Sequence, residues 1–168
     1  MKEKLKAHFL KFGPRRFVAA TVLILTVMDL INSYFLKLYW VKKNISHNLV
    51  VQSIQRSQLM LEDFSRDTMA EMTGFIDNSF YFFLIVILTN NLFFYFFYLR
   101  KKLWAQGFVL FYTLTAALFS VTFIFDNAGL GFGWMFYNIS TIFIYVYLYL
   151  GVKLLKNETT IVPQKKAQ

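Results

Sequence analysis

An aspartate, Asp29, stands inside an apolar run that extends from about Phe17 to Trp40. A carboxyl group in such a place offers one kind of chemistry, the binding or relay of a proton or cation along a polar path. An acid at the centre of a bilayer costs about 2.5–3.5 kcal/mol on insertion scales, so its side chain must look toward protein or water. Thr26, Asn32 and Ser33 lie three or four residues away on the same helical face. Lys37 continues this stripe outward, where its long stem lets the ammonium reach the interface. Asn90 and Asn91 sit at matching depth in a second apolar run and are the amides able to meet Asp29. Neighbouring positions are about 100° apart around a helix, so only one of the two can face it squarely.

These residues have two readings. In the first, Asp29, Asn90 and Asn138 are hydrogen-bonding glue between helices, each pair contributing about 1 kcal/mol or less. In the second, Asp29 carries a proton or cation. An asparagine at position 29 would serve glue equally well, and a carboxyl group adds a titratable proton. That difference favours a functional part for Asp29 and a packing part for the asparagines.

Other chemistry is excluded. The chain has no Cys, which removes disulfides, thiolate metal sites and cysteine catalysis. His8 and His47 fall on opposite sides of the membrane, so neither a zinc set nor a Ser-His-acid set can be assembled in one compartment. Asp29 and Asp126 lie more than about 10 Å apart by the helix rise, too far to share a proton. Gly129, Gly131 and Gly133 alternate as in a phosphate-binding loop, but the strand and soluble helix that such a loop needs are missing, and a tight turn is expected. No enzyme activity, cofactor or metal is therefore expected.

The elements that hold these residues follow from composition. Of the 168 residues, 57% are hydrophobic and 16% charged, against about 45–50% and 25% in soluble domains. A spanning helix needs about 20 mostly apolar residues. Four stretches qualify, at about 17–40, 76–99, 103–125 and 134–154. Backbone groups in lipid must be satisfied within the segment, so helices are expected rather than strands. The expected fold is all-α: a four-span bundle over 17–155, a cytoplasmic arm at 1–16 and a polar tail at 156–168. A retained anchor, not a signal peptide, is the reading of the first span, because its apolar stretch is too long and lacks a cleavage site. Trp40, Trp104 and Trp134 fall at predicted span ends, where amphipathic rings prefer to sit. The run Phe93 to Tyr98 needs only lipid-facing and packing roles.

The third and fourth spans carry a packing face. Thr113, Ala116, Ala117 and Ser120 are small residues suited to close helix approach. Asn138, Thr141 and Tyr145 recur at three- and four-residue steps opposite them, and Asp126 would cap the third span. The outer segment 41–75 places Val50, Ile54, Leu61, Phe64 and Met72 at roughly helical spacing. One or two amphipathic helices are expected there, too short to form a core alone.

Most of the 18 basic residues lie in the amino-terminal arm, in Arg100-Lys101-Lys102 and in the tail, which places both termini in the cytoplasm. The net charge of +9 is then accounted for by topology and by anionic headgroups, not by nucleic acid. In the arm, Leu5, Phe9 and Phe12 form an apolar stripe among lysines. That pattern fits an interfacial helix, and a solvated basic flank fits equally well. Asn44-Ile45-Ser46 is a sequon on the outer side, Asn157-Glu158-Thr159 one on the inner side, and Lys165-Lys166-Ala167-Gln168 resembles a dilysine retrieval signal. Composition rich in Phe, Lys, Asn and Tyr points instead to a bacterial inner membrane, with the endoplasmic reticulum as the alternative.

The expected function is a non-enzymatic subunit or assembly factor of an oligomeric membrane complex, whose partner is itself or another membrane protein. The alternative is a proton or cation channel or transporter built on Asp29. A third reading is a sensor whose outer segment reads a ligand.

Overall fold

The computed structural model describes residues 2–125 and 131–155. The expected cap at Asp126, the sequon at Asn157 and the lysines near the carboxyl end lie outside the described residues. Within them the chain is all-α. Helix α1 spans Lys2–Phe12, α2 Pro14–Lys42, α3 Ile45–Arg56, α4 Arg66–Leu99, α5 Leu103–Phe125 and α6 Phe132–Leu154, with a single 3-10 turn at Leu61–Asp63. Helices α2, α4, α5 and α6 are long and apolar enough to cross a membrane, which makes this a multi-pass membrane protein by length and composition.

Local sequence explains where each helix starts and stops. Gly13 adopts φ +90°, a conformation that suits glycine, and ends α1. Pro14 opens α2 at the first helical position, where its missing N–H is no loss. Asn44, at φ 50°, separates α2 from α3; asparagine tolerates this left-handed region better than most residues. Lys101 takes φ 58° between α4 and α5. Its N–H bonds the Tyr98 carbonyl at 2.9 Å and that of Lys102 bonds Phe97 at 3.1 Å, the two-bond pattern that satisfies a helix end.

The second span departs from expectation. It begins at Arg66 rather than near residue 76. Ser65 caps it: its Oγ accepts the Thr68 N–H at 3.1 Å, satisfying an otherwise open donor. Residues 66–75, expected in a separate amphipathic helix, are thus continuous with the span. The arm is also helical over Lys2–Phe12, with Phe9 fully buried.

The chain forms two compact units, one from Met1–Met28 with Asn91–Gln168, the other from Asp29–Asn90. The hydrophobic core lies in the first, built on Phe9, Phe17, Leu25, Tyr95, Val109, Tyr145 and Leu148 among others. Phe94 stacks on Phe108 at 3.8 Å between centroids. The buried Tyr145 meets Tyr112 edge-on at 6.2 Å. The aromatic run at the end of α4 is thereby partly a packing surface against α5. In the second unit, α3 buries Ser46, Val50 and Ile54 at four-residue steps, which is one face of a helix. Leu61, expected on that face, is 40% exposed, because it falls in the 3-10 turn and not in α3.

Candidate functional site

Asp29 lies midway along α2 between Arg16 and Lys42, about 20 Å from either by the helix rise. Its side chain is 5% exposed, and it does not stand without a polar partner. Thr26, Asn32 and Ser33 are each half-buried, while Lys37 is exposed with its ammonium 5.5 Å from the Tyr81 ring centre. The buried stripe of α2 therefore does not follow the outward path through Ser33 and Lys37. It runs the other way, through Leu25 and Thr21, both 0% exposed. The four-residue steps Thr21, Leu25, Asp29 were readable as a face; choosing it over the Thr26 face required knowing the rotation of the helix.

The two asparagines separate as adjacent positions must. Asn91 is buried and partnered, whereas Asn90 is exposed. Asn90 therefore does not join the buried polar residues.

In α5 and α6 the residues expected to pack are brought together. Thr113, Ala117, Ser120, Asn138 and Thr141 are all buried, and Ala116 is partly so. Their hydrogen bonds, however, stay within each helix. Thr113 Oγ1 donates to Val109 O at 2.8 Å, Ser120 Oγ to Ala116 O at 2.9 Å and Thr141 Oγ1 to Tyr137 O at 2.8 Å. Asn138 Nδ2 donates to Trp134 O at 2.9 Å. The seam is thus close-packed by small residues whose polar atoms are satisfied locally, not bridged by glue. Bonds do cross at either end of the pair: Trp134 Nε1 donates to Phe123 O at 3.0 Å, satisfying a carbonyl in the last turn of α5, and Gln106 Nε2 donates to Val152 O at 3.5 Å. Gln106 and Thr21 complete the buried polar set of this unit, and neither stood out in the sequence. Thr21 Oγ1 is the buried side-chain polar atom with no hydrogen bond among the described residues.

Comparisons with protein-family models, curated proteins and solved structures return no match.

A second grouping lies in the other unit. An open cleft of about 600 Å³ is lined by Asn44, His47, Phe64, Arg66, Met69, Ala70, Thr73, Gly74 and Asp77. Its wall is mixed: Phe64, Met69, Ala70 and Gly74 are apolar, and His47 and Arg66 carry exposed polar ends. Neither His47 nor Arg66 has a hydrogen bond or ion pair among the described residues. Asp77 is occupied, since it accepts the indole N–H of Trp40 at 2.8 Å. Thr73 Oγ1 is bound to Met69 O at 2.8 Å. Its volume lies in the range of small-molecule sites, while its wide mouth and mixed lining make it a surface hollow and not an enclosed apolar pocket. Sequence reading missed this cleft because it is assembled from the α2–α3 junction, the 3-10 turn and the first turns of α4. Among the described residues no group of three or more His, Asp or Glu is placed to hold a metal ion.

Proposed function

We propose that the chain is a non-enzymatic integral membrane protein that works by holding a partner, as a subunit or assembly factor of an oligomeric membrane complex. The carrying observation is the outer cleft. It opens at the polar end of α4, and it is lined by Arg66 and His47, which have no hydrogen bond or ion pair among the described residues, beside apolar side chains that a partner could cover. The α5–α6 seam supports the same reading, because its small residues pack closely and their polar atoms bond within their own helices instead of presenting groups for chemistry. The basic flanks of the spans support both termini on the cytoplasmic side with anionic lipid at that face, and composition rich in Phe, Lys, Asn and Tyr favours a bacterial inner membrane. Filling the cleft tests this. Ala70→Trp is expected to insert normally and to lose most of the partner that co-purifies with the wild type. Equal recovery of the partner in both would sink the proposal.

One observation favours a second reading, conduction of protons or cations. Asp29 is buried at the centre of a span, the position that such a path requires. Asp29→Asn, reconstituted in liposomes, should then abolish a pH-dependent flux while the fold survives. A variant with unchanged flux and unchanged pH response would remove this reading.

A further inference from the structure

Asn90 stands ten residues before Arg100 on α4, about 15 Å along the axis from the basic inner turn. The hydrocarbon core is about 30 Å thick, so this amide lies at the bilayer midplane. It is exposed, and its side chain makes no hydrogen bond among the described residues. The residues sharing its face at three- and four-residue steps are Phe83, Val86 and Ile87, with exposures of 62%, 45% and 53%. Phe93, one turn further on, is 54% exposed. An apolar helix face centred on one open amide is thus left facing acyl chains, where a primary amide has nothing to bond.

We propose that this face of α4 is the interface with a second copy of the chain, paired through Asn90 on each. This deepens the partner-holding reading above and rests on it. A second copy fits for three reasons. An asparagine side chain carries both an acceptor and two donors, so two of them about a twofold axis satisfy each other. Two copies inserted with the same topology present Asn90 at the same depth without further adjustment. A single asparagine among apolar positions at heptad-like spacing also fixes register, since any slip leaves both amides unpaired. The flanking Phe83, Val86, Ile87 and Phe93 supply the packing that drives association in lipid.

The chain has no native Cys, so cross-linking reads the interface directly. Val86→Cys, oxidised with copper-phenanthroline in native membranes, is expected to give a disulfide-linked homodimer. Ile85→Cys, more exposed than Val86 at 63% against 45% and about 140° around α4 from Asn90, is the control and should stay monomeric. In the same membranes, Asn90→Leu should weaken association about threefold to tenfold, with Asn90→Gln retaining part of it. A Val86→Cys protein that yields no homodimer overturns the proposal, as does equal cross-linking from both faces or unchanged association of Asn90→Leu. Cross-linking of Val86→Cys to a different membrane protein would overturn self-pairing and leave the partner-holding reading standing. No product at all, together with an Ala70→Trp variant that keeps its co-purification profile, would overturn both.

Discussion

Trp40 donates its indole N–H to the Asp77 carboxylate at 2.8 Å, and its ring stacks on Phe80, one turn along α4, at 4.0 Å and 9°. The contact joins the carboxyl-terminal end of α2 to α4, and Asp77 itself lines the cleft. A hydrogen bond to a charged acceptor contributes about 1.5–3 kcal/mol when dry and less when half-buried, as here. Aromatic stacking adds about 0.5–1.5 kcal/mol.

Removing the acceptor should therefore loosen this end of α2 by about 1–2 kcal/mol. Asp77→Ala is expected to raise hydrogen exchange over residues 37–42 and over the first turns of α4. Asp77→Asn keeps an acceptor oxygen and should lie between the two. Equal protection in Asp77→Ala and wild type would show that stacking alone holds Trp40.

Gly151 marks a second close approach. A Cβ built there would come 2.8 Å from Cε1 and from Cε2 of Phe17 and would overlap Cζ. Phe17 cannot swing away freely, since it is buried against Phe9, 5.1 Å between ring centres. Gly151→Ala should destabilise the protein by about 1–3 kcal/mol through overpacking. Phe17→Leu, which shortens the opposing side chain, should recover part of that loss in the double variant. The measurement is thermal unfolding in detergent, and strictly additive losses would refute the contact.

These contacts show which parts of the molecule could be read from residues alone. The spans were legible because 20-residue hydropathy is a local property, and Gly13-Pro14 marked the first break. The amino-terminal extension of α4 was not seen, although Ser65 and Thr68 carry the spacing of a helix start, because Arg66, Asp67, Thr68, Glu71 and Thr73 lowered the hydropathy signal. Asn90 and Asn91 could be recognised as mutually exclusive, but the inward member depends on helix rotation, which packing sets. The Phe17–Gly151 fit and the cleft join residues distant in sequence, and no local pattern announces them.

Docking of α1 is a separate expectation. Phe9 is fully buried, its ring 5.0 Å from Tyr147 of α6, while His8 Nε2 lies 3.1 Å from the Tyr147 hydroxyl. Phe→Ala at a filled site costs about 3–5 kcal/mol, more than a short helix gains from its own backbone. Phe9→Ala should release the arm without unfolding the spans. Trypsin cleavage at Lys4, Lys6 and Lys11 should then quicken at least tenfold, whereas Phe12→Ala, at a half-exposed position, should change it little. Equal cleavage rates in Phe9→Ala and wild type would mean that the helix is not held by this ring.

Asn138 separates two accounts of the α5–α6 seam. If its amide were glue between helices, Asn138→Leu would leave a buried partner unsatisfied on α5, at about 1–3 kcal/mol. The amide instead donates to Trp134 O, a carbonyl one turn back in α6 and well placed for its helical bond. Leucine has a similar volume and leaves no atom of α5 without a partner. Asn138→Leu is therefore expected to stay within about 1 kcal/mol of wild type in thermal unfolding, and Ala117→Phe, which enlarges the small-residue face directly, to lose about 1–3 kcal/mol or more. A large loss from Asn138→Leu with a small one from Ala117→Phe would mean that the seam is held by its amide and not by the closeness of its helices.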